Sequence, residues 1–272
     1  MVYIAVLAVL VATILGLGIA GAMWHRRHPG AAHLGMRDWW TGRGWTWSRH
    51  AYLTVHLAFS LLVTVVMLVV FARISALVTG HAAITQFDEQ FDAHLHSIAS
   101  PAGLRVATFL SLIGGPAAMA VLGLTGAVLL FFRRHDRELL VGWLMAIGGG
   151  GVLDWVLKSA FRRPRPLFAD PFAHGYGFSF PSGHSMGSVI GFGMLAYVLV
   201  QVVHRESARV AIVVVAGLLC LGIGISRLYL GVHFPSDVLA GFAAGLMWLA
   251  ACIAGLEIAR ERHPQSAELR LT

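Results

Sequence analysis

The chain has 272 residues, of which 57% are hydrophobic and only 12% are charged. Average soluble domains have about 25% charged residues, so this composition excludes an ordinary water-soluble domain and favours a protein embedded in a bilayer. The net charge of +7 could indicate nucleic acid as a partner, but the basic residues lie in short clusters between apolar segments, which is typical of topology signals and lipid headgroup contacts.

Seven apolar segments are long enough, or nearly so, to cross a bilayer as a helix of about 20 residues. In chain order they span residues 2–23, 51–72, 106–132, 139–157, 185–203, 210–225 and 238–256. The sixth is short, and we expect its helix to continue into Ser226 and Arg227. The connections leave no room for a separate soluble domain, so the sequence predicts an all-α, polytopic transmembrane helical bundle.

The basic residues are divided unevenly between the two sides of this bundle. Thirteen of the 20 lie in one set of alternate connections and in the carboxyl-terminal segment: Arg26, Arg27, Arg37, Arg43, Arg49, Arg133, Arg134, Arg137, Arg205, Arg209, Arg260, Arg262 and Arg270. By the positive-inside rule this side is cytoplasmic. We therefore expect an external amino terminus and a cytoplasmic carboxyl terminus.

Seven basic residues remain on the extracytoplasmic side. Arg73 and Arg105 bound a long acidic loop, which contains Asp88 and Asp92 and which we interpret as a lid or an entrance. The other five are Lys158, Arg162, Arg163, Arg165 and Arg227, and Lys158 is the only lysine in the chain. Because these five group around the motifs described next, a site for an anion explains their position where topology does not.

The first apolar segment has a second interpretation, because Ala20-Gly21-Ala22 resembles the small-residue cleavage site of a signal peptide. However, no basic residue precedes the segment and an arginine cluster follows it directly, which is the reverse of a signal peptide. We therefore interpret the segment as a transmembrane helix.

Three polar clusters lie at the predicted extracytoplasmic ends of helices. The first runs from Lys158 to Arg165-Pro166, the second is Pro181-Ser182-Gly183-His184, and the third contains Ser226-Arg227, His233 and Asp237. Lysine and arginine supply charge-assisted hydrogen bonds to phosphate oxygens. The second cluster opens a helix, whose unpaired N–H groups and positive dipole end favour an anion, and Gly183 leaves that backbone accessible.

The third cluster has the arrangement of an oriented nucleophile. His233 and Asp237 are four residues apart, and Pro235 indicates that they bracket a helix start. The carboxylate could hold one ring nitrogen and leave the other directed at phosphorus. His184 is then the candidate general acid and base. Asp154 lies one turn before Lys158, so we also expect this pair to interact.

Each cluster has a simpler interpretation as well. Arginines after a helix usually set topology, Ser-Gly at a helix start usually caps the helix, and a histidine near the membrane surface is usually interfacial. All three clusters, however, are predicted at helix ends on the side where arginines are not expected. This coincidence favours one functional site.

Together the clusters resemble the complete signature of the type 2 phosphatidic acid phosphatase family. That pattern is a Lys, six residues and Arg-Pro; then Pro-Ser-Gly-His; then Ser-Arg, five residues, His, three residues and Asp. Every position is present here, in order. The resemblance covers about residues 87–256. The family has a six-helix core, so the segment at 51–72 corresponds to its first helix and the segment at 2–23 is an addition.

The resemblance implies a two-step phosphoryl transfer that needs no metal and no cofactor. His233 would attack phosphorus to form a phosphohistidine, Asp237 would orient it, and His184 would protonate the leaving group. The phosphate oxygens would be held by Lys158, Arg165, Ser182, Gly183 and Arg227. Three cations and a helix terminus could balance the charge on the transferring group, which is why a metal is not required.

We therefore predict an integral membrane phosphatase acting on a phosphomonoester or diphosphate of a lipid, such as phosphatidic acid, phosphatidylglycerol phosphate or a polyprenyl diphosphate. Its expected partners are this lipid and the bilayer, not nucleic acid. The expected organisation is a transmembrane helix and basic cytoplasmic linker at residues 1–50, a membrane-embedded phosphatase domain at 51–257, and a cytoplasmic tail at 258–272.

Three alternatives remain open at this stage. A phosphohistidine could transfer its phosphate to another lipid or to a sugar instead of water. The chain could also be a transporter with a vestigial anion site, although its motifs lie at one surface and not near the midplane. The signature is further shared with vanadium-dependent haloperoxidases, but those are soluble proteins.

Overall fold

The computed structural model describes residues 49–80, 83–132, 137–166 and 177–262. Within these ranges the chain forms helices and short connections, without any strand. The predicted segment at 2–23, the linker as far as residue 48 and the end of the tail from residue 263 lie outside the described residues.

The described ranges contain nine α-helices. They are α1 (Arg49–Thr79), α2 (Ala83–Ser97), α3 (Pro101–Ile113), α4 (Pro116–Phe132), α5 (Arg137–Leu144), α6 (Gly150–Phe161), α7 (Gly183–Val202), α8 (Glu206–Tyr229) and α9 (Pro235–Arg262). A π-helical turn, Met145–Gly149, joins α5 to α6, so the two run as one rod.

Six helical stretches in the described part of the chain are long and apolar enough to cross a membrane. They are Leu53–Thr79, Pro101–Phe132, Arg137–Phe161, Gly183–Val202, Glu206–Tyr229 and Pro235–Arg260. Each contains one of the predicted segments from the second to the seventh, apart from residues 51 and 52 of the second segment and residue 203 of the fifth. The all-α transmembrane bundle is thus confirmed, and α8 extends through Ser226 and Arg227 as expected.

The region between Arg73 and Arg105 is not a loop as predicted. Helix α1 continues to Thr79, and residues 83–97 form α2, which is too polar and too short to cross the membrane. The less exposed side chains of α2 recur at helical spacing and form one face: Ile84, Asp88, Phe91, Asp92 and Leu95. This face packs on α1, α8 and α9. Two aspartates within it obscured the amphipathic pattern in the sequence.

Helix α7 is the central helix of the bundle, in contact with α4, α6, α8 and α9. It packs closely on α9, where two glycines face its backbone. A Cβ atom at Gly241 would lie 2.5 Å from the carbonyl oxygen of Ser182, and one at Gly245 would lie 2.9 Å from that of Met186. The absence of side chains at these two positions therefore lets the two helices pack backbone against backbone.

The glycine run at 148–151 serves helix packing at its two middle positions. A Cβ atom at Gly149 would lie 2.6 Å from the ring of Trp248, and one at Gly150 would lie 2.7 Å from Ile190. We expected these glycines to permit close packing and not to bind phosphate, and the contacts of Gly149 and Gly150 agree with that expectation.

Candidate active site

The three sequence clusters lie at the same end of the bundle. The first follows α6, the second opens α7, and the third connects α8 to α9. Hydrogen bonds join them directly: the backbone N–H of Ser182 donates to the carbonyl oxygen of Asp237 at 2.9 Å, and Lys158 donates to the carbonyl oxygen of Pro181 at 2.8 Å. Segments distant in sequence thus meet in one place.

Lys158 is held at the start of α7. Its Nζ atom donates to Oδ1 of Asp154 at 2.6 Å and to the carbonyl oxygen of Pro181. The pair expected from the four-residue spacing is therefore present, and both side chains remain partly accessible. The ammonium group lies beside the first turn of α7 as a result.

Arg165 follows the end of α6, where Arg162 adopts a left-handed conformation (φ 48°) and ends the helix. Three backbone carbonyl oxygens accept hydrogen bonds from the Arg165 guanidinium: those of Gly177 (3.0 Å), Phe178 (3.2 Å) and Val232 (2.8 Å). Its NH1 atom also lies 3.2 Å from Nε2 of His233. A cation of the first cluster thus touches the imidazole of the third.

The start of α7 allows charged side chains to come close to its backbone. Ser182 is extended (φ −70°, ψ 110°), and its hydroxyl accepts hydrogen bonds from the backbone N–H and the hydroxyl of Ser185, as an N-cap residue does. A Cβ atom at Gly183 would lie 2.9 Å from Nζ of Lys158 and 2.9 Å from Oδ2 of Asp154. A side chain at residue 183 would therefore displace this ion pair from the helix terminus.

His233 and Asp237 bracket the start of α9, as predicted. His233 precedes the helix, and Oδ2 of Asp237 in its first turn accepts the backbone N–H of Phe234 at 3.0 Å, which is half of a capping box. The same Oδ2 lies 3.4 Å from Nδ1 of His233, slightly longer than an ordinary hydrogen bond. Both side chains are buried. Asp237 thus faces one ring nitrogen of His233, and Arg165 lies beside the other.

The environment of His233 favours a neutral ring. Burial lowers the pKa of His233 well below its ordinary value, and the positive charges of Arg227, Arg165 and Lys158 lower this pKa further. A neutral imidazole retains a lone pair at neutral pH, and a nucleophile needs that lone pair.

His184 and Arg227 complete the group. His184 lies in the first turn of α7, close enough to Arg227, His233, Lys158 and Arg165 for their charges to act on it. Its Nε2 would be 3.6 Å from a Cβ atom at Gly115, so it also faces the turn between α3 and α4. The buried guanidinium of Arg227, in the last turn of α8, donates to the hydroxyl of Ser111 on α3. The structure thus brings all the predicted site residues to one end of the bundle.

Sequence reasoning did not assign roles to several residues of this region. The buried Arg163 bonds Asp88, Ser236 and Asp237, and Ser111 bonds Arg227. Ser179 joins the segment after α6 through the carbonyl oxygens of Arg163 and Pro164. In the sequence, Asp88 could be noticed only because it is spaced at helical intervals with apolar residues of α2. Nothing in the sequence paired it with Arg163.

Metal ligation finds no support in the described residues. Across those ranges, no three His, Cys, Asp or Glu side chains lie close enough together to hold a metal ion. The acidic groups of the site are instead paired with cations, as for Asp154 with Lys158 and Asp237 with Arg163.

Known proteins are similar to this chain. Residues 137–260 match the model of the PAP2 superfamily. The phosphatidylglycerophosphatase B of Bacillus subtilis is 36% identical over 184 residues, covering 67% of this chain and 89% of the relative. A lipid A 1-phosphatase of Rhizobium johnstonii is 33% identical over 127 residues, covering 42% of this chain and 48% of the relative.

A solved structure is similar over most of its length. The crystal structure of a transmembrane PAP2-type phosphatidylglycerolphosphate phosphatase from Bacillus subtilis superposes with a TM-score of 0.66 and 32% identity, covering 74% of this chain and 98% of that one. The relatives are named as phosphatases, which favours an enzyme over the transporter considered above. The chain belongs to the PAP2 superfamily and is an integral membrane phosphatase.

Proposed function

We propose that this protein hydrolyses a lipid phosphate or diphosphate through a phosphohistidine formed on His233, at the extracytoplasmic face of the membrane. The observation that carries the proposal is the 3.2 Å distance between NH1 of Arg165 and Nε2 of His233. A guanidinium at that position can hold a phosphate oxygen while the imidazole faces the phosphorus atom.

In the first step the lone pair on Nε2 of His233 forms a bond to phosphorus, and the bond from phosphorus to the lipid oxygen breaks. His184 donates a proton to that leaving oxygen. In the second step water attacks the phosphohistidine, His184 takes a proton from the water, and inorganic phosphate leaves as the phosphorus–nitrogen bond breaks. Asp237, facing Nδ1, stabilises the positive charge that develops on the His233 ring.

The cations have the complementary role of balancing the phosphate charge. Lys158, Arg165 and Arg227 all act electrostatically on His233. We propose that they hold the phosphate oxygens together with the hydroxyl of Ser182 and the first-turn backbone N–H of Gly183 in α7. In a buried site such donors are worth far more than in water, since little solvent screens them.

The proposed substrate and face follow from the position of the site. The site lies at one end of the bundle, so a headgroup can enter it while the acyl or prenyl tails remain in the bilayer. Phosphatidylglycerol phosphate is one candidate, since a relative that this chain covers over 89% of its length is named a phosphatidylglycerophosphatase. Arg137, Arg205, Arg209 and Arg260 lie at the opposite end, and the positive-inside rule makes that end cytoplasmic.

The proposed domain organisation agrees with this topology. We propose a phosphatase domain at residues 51–257, which includes every site residue. We further propose a separate amino-terminal helix and linker at 1–50 and a cytoplasmic tail at 258–272.

The decisive experiment measures phosphate release by the purified protein in detergent. His233→Ala should lower kcat about 10⁴-fold or more, because the substitution removes the nucleophile. His94→Ala is the matched control, since His94 is exposed on α2, and it should retain activity. Undiminished turnover by His233→Ala would rule out the assignment. We also expect vanadate to inhibit the wild-type protein and a chelator to have little effect.

A further inference from the structure

We infer that Asp88 and Arg163 are positioning residues for the Asp237–His233 pair, and that the extramembrane helix α2 is thereby a working part of the active site. The inference rests on the proposed function, because it assigns these residues an effect that passes through the proposed nucleophile. Arg163 lies within the first sequence cluster and Asp88 lies outside all three clusters. Neither residue has been given a role so far.

Arg163 joins two buried carboxylates. Its NH1 atom donates to Oδ1 of Asp237 at 2.7 Å, and its NH2 atom donates to Oδ2 of Asp88 at 2.9 Å. The arginine side chain is 9% exposed and both aspartates are 0% exposed. The guanidinium also lies 4.4 Å from the ring centre of Phe234. A buried ion pair with this geometry fixes both partners, and removing one partner leaves an uncompensated buried charge.

Asp88 also holds the first turn of α9. Its Oδ1 atom accepts the backbone N–H of Ser236 at 3.1 Å, and its Oδ2 atom accepts the hydroxyl of Ser236. That backbone N–H belongs to the helix start and has no partner within α9. Asp88 thus supplies, from another helix, the anion that the amino-terminal end of α9 favours. Ser236 links the network, because its hydroxyl also accepts from Arg163 at 2.8 Å.

The network leaves Asp237 little freedom to move. Arg163 holds Oδ1 of this aspartate, the backbone N–H of Phe234 holds Oδ2, and the same Oδ2 faces Nδ1 of His233. The direction of the His233 ring therefore depends on a chain of contacts that begins at Asp88. Asp88 also balances the charge of Arg163, so that Asp237 does not face that positive charge alone.

The two arginines of the Arg-Pro-Arg sequence consequently have different roles. Arg163 directs its two terminal nitrogens to carboxylates, whereas Arg165 is held by backbone carbonyl oxygens and lies against His233. Arg165 is suited to an incoming phosphate. Arg163 acts on the reaction only through Asp237.

Kinetics of single variants test the inference. Arg163→Gln should lower kcat about 100-fold and Asp88→Asn about tenfold, with KM changed less than about threefold, because the groups that meet substrate remain in place. Arg163→Lys keeps the charge but cannot bridge two carboxylates, so it should restore only part of kcat. The matched controls are Glu89→Gln, an exposed neighbour of Asp88 on α2, and Arg137→Gln, an exposed arginine at the opposite end of the bundle; both should retain wild-type kcat.

The pH dependence of kcat separates this role from a merely structural one. The charged and titratable groups around His233 are Asp237 on α9, Arg227 on α8, His184 on α7, Lys158 and Asp154 on α6, and Arg165 and Arg163 in the segment after α6, with Asp88 on α2 behind Arg163. Asp88→Asn removes a negative charge, which disfavours protonated His233 and shifts the acidic limb to lower pH. Arg163→Gln removes a positive charge and shifts the limb to higher pH. Each shift should be about half a pH unit or more.

The double variant Asp88→Asn/Arg163→Gln completes a double-mutant cycle with the two single variants. Its acidic limb should return towards the wild-type position, since both charges are gone, and its loss of kcat should be smaller than the product of the two single losses. If Arg163→Gln is not recovered as a monodisperse protein, Asp88→Asn and Ser236→Ala are compared instead. Both should then lower kcat with KM unchanged, and only Asp88→Asn should move the acidic limb.

The inference would be overturned if Asp88→Asn and Arg163→Gln both kept the wild-type kcat. The same holds if Asp88→Asn and Ser236→Ala are the pair compared and both keep it. Acidic limbs that move in the same direction in Asp88→Asn and Arg163→Gln, or that do not move, would also overturn it. If His233→Ala is inactive while these variants behave as wild type, only this inference fails. If His233→Ala is fully active, the proposed function fails first.

Discussion

Helices α7 and α9 carry a polar cluster at each end, buried at the site end and partly buried at the other, and the two clusters differ in their charge. At the site end, Ser182 of α7 donates its backbone N–H to the carbonyl oxygen of Asp237 of α9. At the other end, the Tyr197 hydroxyl donates to Oε1 of Glu257 at 2.5 Å, and Arg260 donates to Tyr197 and to Gln201. Hydrogen bonding alone does not distinguish the two ends.

Charge balance does distinguish them. Among the described residues of the site, four cations accompany three carboxylates: Lys158, Arg163, Arg165 and Arg227 against Asp88, Asp154 and Asp237. In the cluster of Tyr197, Gln201, Glu257 and Arg260, the two charged side chains carry one charge of each sign. The site end therefore has a positive surplus beside a helix amino terminus, whereas the far cluster clamps two helices together.

The largest expected difference comes from removing one cation at each end. Arg227→Ala should lower kcat/KM about 10³-fold, because a preorganised donor to the transferring phosphoryl group is lost. Arg260→Ala removes the same side chain from the far cluster and should lower kcat/KM less than about threefold. Phosphate release in detergent measures both. Equal losses would contradict a special role for charge at the site end.

A smaller effect is expected when the ion pair that holds Lys158 is removed. Asp154→Asn keeps the shape of the side chain but no longer anchors Nζ of Lys158 with a charge, so kcat should fall about tenfold to 100-fold. The total positive charge of the site rises in this variant. An increase in kcat would therefore show that the amount of charge matters more than its position.

A steric change at the start of α7 should have a comparable or smaller effect. Gly183→Ala places a Cβ atom 2.9 Å from Nζ of Lys158, so this side chain must shift and KM should rise about tenfold. Gly148→Ala is the matched control, because a Cβ atom there meets no atom within 4 Å. If both variants bind substrate equally well, Gly183 is not needed for access to the helix terminus.

The smallest effect on catalysis is expected at the far cluster. Glu257→Gln should leave kcat within about twofold and lower the free energy of unfolding by about 1–2 kcal/mol, since a charged hydrogen bond from the Tyr197 hydroxyl is replaced by a neutral one. Activity and thermal denaturation in the same detergent measure the two quantities. A large loss of kcat with unchanged stability would instead indicate communication between the two ends.

Much of the fold was predictable because its signals are local. Apolar segments of membrane-spanning length predicted the six spans seen in the described part of the chain, and the four-residue spacing from Asp154 to Lys158 predicted their ion pair. Pro235 indicated the start of α9 between His233 and Asp237, because proline is suited to the first turn of a helix. In each case the physical cause lies within a few residues of the effect.

The parts that the sequence did not reveal depend on distant contacts. Arg163 meets Asp88 across 75 positions of the sequence, and Arg227 meets Ser111 across 116. No periodicity or spacing pairs such residues. The helix α2 was also missed, since buried aspartates at 88 and 92 stand where an amphipathic helix usually has apolar side chains. Asp88 can be buried because Arg163 and Ser236, from other segments, are paired with it.

The two glycines of α9 that face α7 have a consequence for the chemistry. Gly241 lies one turn beyond Asp237, and a methyl group there would press on the carbonyl oxygen of Ser182. The two helices would have to separate, and Asp237 on one would withdraw from His184 on the other. Under the proposed mechanism, the distance from His184 to the His233–Asp237 pair therefore depends on the absence of a side chain at residue 241, and one carbon atom added in this interface would slow the reaction.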